Sequence, residues 1–129
     1  MDEKTAKAKV DPKKYGVRHM SEFPWYTGKG HTAGAISKRL VGPEHGSEKI
    51  AYVMSCYAPG HHMDPHVHKE RDQVYHILSG EGILVIDGVK HRVGKDDVAY
   101  FPAGVWHGLY NESTENLVFV IVSCPPDAP

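Results

Sequence analysis

The sequence predicts an all-β chain, about nine short strands closed into a barrel or jelly roll. Three observations carry this. From Ala33 onward, short runs rich in Val, Ile, Tyr and Phe alternate with Gly, Pro and Asp at regular intervals, the pattern of strands joined by turns. No segment shows sustained helical spacing with caps at both ends. An open sheet of this many strands would leave exposed edges, and closure removes them.

The elements follow in order. Ala35 to Leu40 reads as a strand closed by Gly42-Pro43, and Ile50 to Tyr57 as a second closed by Pro59-Gly60. His66 and His68 lie on a short extended piece, and Gln73 to Ser79 forms the next strand, ending at Gly80. Ile83 to Ile86 and Val89 to Val93 flank Asp87-Gly88, a two-residue hairpin signal. Val98 to Phe101, Trp106 to Tyr110 and Leu117 to Val122 complete the series. The run Cys124 to Pro129 ends strand pairing, because its prolines lack donors. Residues 1–20 read as an arm, lysine-rich up to Tyr15 and partly mobile or strand-swapped; 21–124 as the barrel; and 125–129 as a tail. Ser21 to Gly30 mixes aromatics with turn formers and reads as a packed loop.

A chain of 129 residues fits one domain and can bury a core without disulfides. The net charge of −1 offers nothing that attracts nucleic acid or an anionic membrane. No apolar run approaches the roughly 20 residues of a membrane helix, and the charged start lacks the apolar stretch of a secretion signal. The expected location is the cytoplasm, where Cys56 and Cys124 read as small buried hydrophobes and not as a disulfide. Histidine is the biased residue: ten are present, and His61, His62, His66, His68 and His76 fall within one short segment. Neutral imidazole is the commonest protein metal ligand.

His66-Val67-His68 is the strongest local feature. On an extended strand, residues i and i+2 share a face, so two imidazoles would converge on one point. Gln73 opens the following strand and reaches the same point if the two strands are antiparallel neighbours. Tyr75 shares the parity of Gln73 and points inward, whereas His76 points away. A third imidazole, His107, follows Pro102-Ala103-Gly104.

These residues resemble the two motifs of the cupin family. Gly60 with His66-x-His68-x4-Gln73-x6-Gly80 resembles the first, and Pro102-x-Gly104-x2-His107-x3-Asn111 the second, over roughly Tyr52 to Val122. The resemblance implies a double-stranded β-helix with one divalent metal on His66, His68, His107 and Gln73. Two positions depart from the family pattern. Gln73 stands where Glu is usual, and Asp96 where the second motif usually begins with Gly. An amide oxygen leaves a bound metal its full charge, where a carboxylate would lower it by one unit. The alternative to ligation, which is the leading expectation, is that Gln73 orients a water or substrate from outside the coordination shell.

The resemblance implies an enzyme more readily than a structural site, because three histidines leave coordination positions open. The leading expectation is a dioxygenase acting on a small anionic or enolisable substrate, with Fe(II) favoured over Zn, Ni, Mn or Cu. Tyr75 and His62 are the candidate proton-handling groups. A Lewis-acid isomerase, lyase or cyclase is the alternative, and a non-catalytic binding module the third. The expected partners are a small-molecule substrate and a second copy of the chain, with neither nucleic acid nor membrane. Lys38 and Arg39 bind an acidic substrate only if one of them faces inward. Solvated surface is the simpler expectation for both.

Overall fold

A computed structural model of the protein describes residues 16–126. Nine strands form two antiparallel sheets: β1 (Ala35–Val41), β2 (Ala51–Tyr57), β3 (His62–His66), β4 (Asp72–Ser79), β5 (Glu81–Ile86), β6 (Val89–Gly94), β7 (Val98–Phe101), β8 (His107–Tyr110) and β9 (Leu117–Cys124). One sheet runs β1-β2-β9-β4-β7 and the other β3-β8-β5-β6. The all-β expectation holds, and each predicted strand appears within a residue or two of its expected ends, except the piece carrying His66 and His68.

Period-2 alternation explains which side chains fill the interior. Tyr57, Phe119, Tyr75, Ile77 and Phe101 point inward from the five-stranded sheet, and Met63, Leu84 and Leu109 meet them from the other. Burying each such side chain stabilises the fold by roughly 1.5–3 kcal/mol. Asp87-Gly88 makes the predicted hairpin, with φ of 47° and 81°, the left-handed pair that matches strand twist. Asp96, which replaces the usual glycine, also sits in the left-handed region at φ 68°. It keeps the turn, its backbone N–H donating to the Ile77 carbonyl at 2.8 Å.

Asn111 secures the corner after β8. Its side chain is buried, donates to the Tyr57 and Glu115 carbonyls at 2.8 and 2.7 Å, and accepts from the Ser113 backbone N–H at 2.9 Å. Its role is the turn. The N-terminal segment packs on β1: Tyr26 bridges Ser37 and Phe23 is buried. Lys38 donates to the Met20 carbonyl at 3.0 Å and lies 4.8 Å from the centre of the Trp25 ring. Lys38 is therefore not solvated as expected; the segment before β1 covers it. Arg39 pairs with Glu44 at 2.8 Å. The expected arm lies outside the described residues up to Tyr15.

The two cysteines divide. Both are free; Cys56 is half-buried, but Cys124 is exposed. Strand parity corrects the expectation that both are buried, because Ser123 points inward and Cys124 therefore points out.

Gly80 sits at φ +83°, and a Cβ there would drive into the Asn116 carbonyl. Gly80→Ala is therefore expected to lower stability by about 2 kcal/mol or more, read as a drop in the urea midpoint at unchanged m-value. An unchanged midpoint would mean that the β4–β5 turn can open at no cost.

Candidate metal centre

The histidines meet between the sheets and not along one strand. His66 ends β3 and is paired directly with His107, the first residue of β8. Pro65 has no N–H to donate, and the register slips between Met63 and His66. The strand stops there, so His68 is carried by the following loop, where its carbonyl accepts from Gly104 N–H at 2.7 Å. This corrects the expectation that His66 and His68 share a strand face. Gln73 is likewise not on a neighbouring strand: β3 and β4 lie in different sheets. It reaches the cluster from across the interior, held between Phe101 on β7 and Ser123 on β9. Gly108 makes the approach possible, since a Cβ there would lie 3.0 Å from Pro65 N.

One ring nitrogen from each of His66, His68 and His107 lies within 4.8 Å of the others, and among the described residues these three form the group able to hold a metal. The ring centres of His66 and His107 are 4.4 Å apart, and those of His66 and His68 4.5 Å. Burial and the nearby Arg71 and histidines push the His68 ring down to about 3. Burial pulls His107 down to about 4, against a raising hydrogen bond to the Val105 carbonyl. Both rings are thus neutral at pH 7, the form that ligates metals.

His107 tests whether a cation fits. Its Nδ1 is 3.0 Å from the Val105 carbonyl and its Nε2 is 3.1 Å from Gln73 Oε1. A neutral ring has one proton for these two acceptors. With Nδ1–H on Val105, the Nε2 lone pair faces the Gln73 oxygen, an arrangement that a shared cation satisfies. In the metal-free protein, turning the amide over satisfies it too. Ser123 permits either orientation: its Oγ accepts from Gln73 Nε2 at 2.9 Å and as a hydroxyl can donate instead. His66 Nδ1 is 3.2 Å from the Asp64 carbonyl, which orients that ring in the same way. The residues present fit a divalent ion.

The walls are aromatic. Phe101 stacks on His107 at 4.4 Å, and Tyr75 meets His107 edge-on at 5.7 Å. Tyr75 is buried as its parity predicts. Burial holds its phenol well above the usual tyrosine range, slightly offset by Arg71. His62 is elsewhere. Met63 is buried, so His62 faces the other way, stacked on Tyr110 at 4.9 Å and 3.1 Å from Asp64. The structure does not bring it to the triad. His61 bonds Thr32 and the Gly34 N–H. His76 faces away as expected, 3.5 Å from Asp96. Trp106 and Tyr100 are exposed and line no interior wall.

Two residues beside the cluster escaped the sequence reading. Ser123 had a signal: it continues the inward series Leu117, Phe119, Ile121. Arg71 had none, because it lies in a charged run that reads as a surface turn. Its Nη2 lies 2.9 Å from His68 Nδ1.

A family model described as "Cupin domain" matches residues 45–123. The chain belongs to the cupin family. An uncharacterised protein of Methanocaldococcus jannaschii is 33% identical to this cupin over 94 residues, covering 72% of the chain and 75% of the relative. Dimethylsulfoniopropionate lyase DddW of Ruegeria pomeroyi is 31% identical over 87 residues, covering 66% of the chain and 57% of that protein. Among solved structures, the polyketide cyclase RemF of Streptomyces resistomycificus superposes with a TM-score of 0.78 at 19% identity, covering 90% of this chain and 83% of that one. A predicted oxalate decarboxylase of Thermotoga maritima superposes with a TM-score of 0.75 at 22% identity, covering 84% and 98%. At these identities the two structures show the double-stranded β-helix fold alone.

Gln73→Glu is expected to hold a divalent metal at least as tightly while destabilising the metal-free protein by roughly 1–3 kcal/mol, the cost of a buried carboxylate. Melting with and without metal checks both halves, and weaker metal binding would show that Gln73 does not face the ion. A second expectation follows from the histidines. The folded rings lie near 3 and 4 against an ordinary value of 6.5, so between these limits the unfolded chain binds more protons. The chelator-treated protein should therefore lose stability as pH falls from about 6.5 towards 4. The loss should be steeper than in a His68→Gln/His107→Gln variant; equal slopes would mean the rings are not desolvated.

Proposed function

We propose that this cupin is a metal-dependent enzyme that uses Lewis-acid chemistry, without oxygen, on a small anionic substrate. The observation that carries the reading is the donor set: three imidazoles and one amide, with no carboxylate in the group. His66, His68 and His107 would hold one divalent ion, with the Gln73 oxygen as fourth donor. When bound, such an ion would keep its full charge to stabilise an enolate or carboxylate oxygen. The backbone carbonyls of Asp64 and Val105 orient two of the rings, and Ser123 pairs with the Gln73 amide in either of its orientations. Tyr75 holds its proton firmly at neutral pH and is the candidate for giving one to the substrate. His62, turned towards Asp64 and Tyr110, has no part in this reading.

One named relative supports an elimination, being called a lyase. The dioxygenase expected from the sequence would use the same ligands and the same class of substrate, with iron. Oxygen distinguishes the two. Purified protein should carry near-stoichiometric divalent metal by elemental analysis. Against a panel of β-diketones, catechols and 2-hydroxy acids, turnover should proceed equally in anaerobic buffer. Oxygen consumption matched to turnover would overturn the Lewis-acid reading in favour of the dioxygenase. Tyr75→Phe should lower kcat by about 10²–10⁴-fold.

A further inference from the structure

One buried hydroxyl in the barrel serves no contact of the fold. Tyr57 ends β2 and belongs to the buried core. Its backbone carbonyl accepts from Asn111 at 2.8 Å. Its ring meets Phe119 edge-on at 5.0 Å and His31 edge-on at 5.9 Å. The phenol oxygen is shut off from solvent and has no hydrogen-bond partner among the described residues. Buried hydroxyls are nearly always bonded, and one left without a partner costs roughly 1–3 kcal/mol. A phenylalanine would fill the same space without that cost.

Aromatic contacts link this hydroxyl to the metal centre. Phe119, which touches Tyr57, also stacks on Tyr75 at 5.4 Å, and Tyr75 meets His107 at 5.7 Å. Burial holds the Tyr57 phenol well above the usual tyrosine range, and Tyr75 and Tyr26 raise it further. The group keeps its proton at neutral pH and can donate it to a hydrogen bond. Beside it on the inward face of β1 and β2, the Oγ atoms of Ser37 and Ser55 lie 2.7 Å apart. One serine donates to the other, which keeps a proton of its own. Ala35 and Leu117, the residues paired with Tyr57, are apolar and buried. A second charge would be desolvated there without a counter-ion. A neutral oxygen needs only the donors present. Ligand pockets have this composition, apolar walls with a few polar groups that fix orientation.

We infer that Tyr57 is a specificity residue, its hydroxyl donating to an uncharged oxygen, a hydroxyl or a carbonyl, at the end of the substrate remote from the metal. The substrate class narrows to small acids that carry a second, neutral oxygen. The inference rests on the metal-dependent reading proposed above.

The test uses cobalt-loaded protein, with binding followed by the visible absorption of Co(II). Butyrate, hexanoate and octanoate are each compared with the corresponding ω-hydroxy acid. Wild-type protein should bind at least one hydroxy acid about three- to tenfold more tightly than its parent acid. Tyr57→Phe should erase that preference and leave the affinity for the parent acid unchanged. Metal-free Tyr57→Phe should melt at the same temperature as wild type or higher, since it loses no bond. A lower melting temperature overturns the inference, because it places the hydroxyl in a bond that holds the fold. Equal preferences in wild type and variant overturn it too, as does no preference in either, which would leave Tyr57 to a buried water alone. Wild-type protein that takes up no cobalt would instead overturn the metal-site reading, and the inference with it.

Discussion

A neutral imidazole has one proton, and His107 stands between two oxygens that each accept one. Much of the site can be understood from this constraint. The ring cannot turn away, because Phe101 lies flat against it with an interplanar angle of 1°. The Val105 carbonyl comes from the loop that places His107 at the start of β8, and the Gln73 oxygen arrives from the opposite sheet. The two sheets are thus coupled through a polar contact at a buried point. An unbalanced hydrogen bond there costs more than it would at the surface.

Maintaining that contact limits the surrounding residues. A side chain at Gly108 would crowd Pro65 where β3 approaches, and Pro65 lies just before His66, the end of the strand that faces His107. Asn111, three residues beyond Gly108, ties the end of β8 to β2 through the Tyr57 carbonyl. Tyr75 and Phe119, stacked at 5.4 Å, fill the space beneath. The apolar floor removes water from the rings, and that desolvation is the main reason both His68 and His107 resist protonation.

Most of the fold was legible because strand and turn chemistry is local. Asp87-Gly88 announces its own hairpin, and alternation along Gln73, Tyr75 and Ile77 gives the inward face of β4. The identity of the metal-ligand candidates was legible from spacing, but the way they converge was not. Nothing local to His66-Val67-His68 shows that Pro65 stops the strand before His68 is reached, or that β3 and β4 belong to different sheets. Those are consequences of long-range pairing. Arg71 and His62 mark the same limit in opposite directions. A cation in a polar run turned inward, and a histidine near the motif turned outward, because each side chain's direction depends on where its strand or loop is anchored.

The exposed end of β9 offers a practical vantage point on the interior. Ser123 touches the Gln73 amide while Cys124, the next residue, faces out and is free. Cys56 is half-buried, and burial raises its thiol above the usual range, so a thiol-reactive dye would find Cys124 the more accessible of the two. A fluorophore there would sit outside the barrel on the strand that holds Ser123, able to report the filling of the site without entering it.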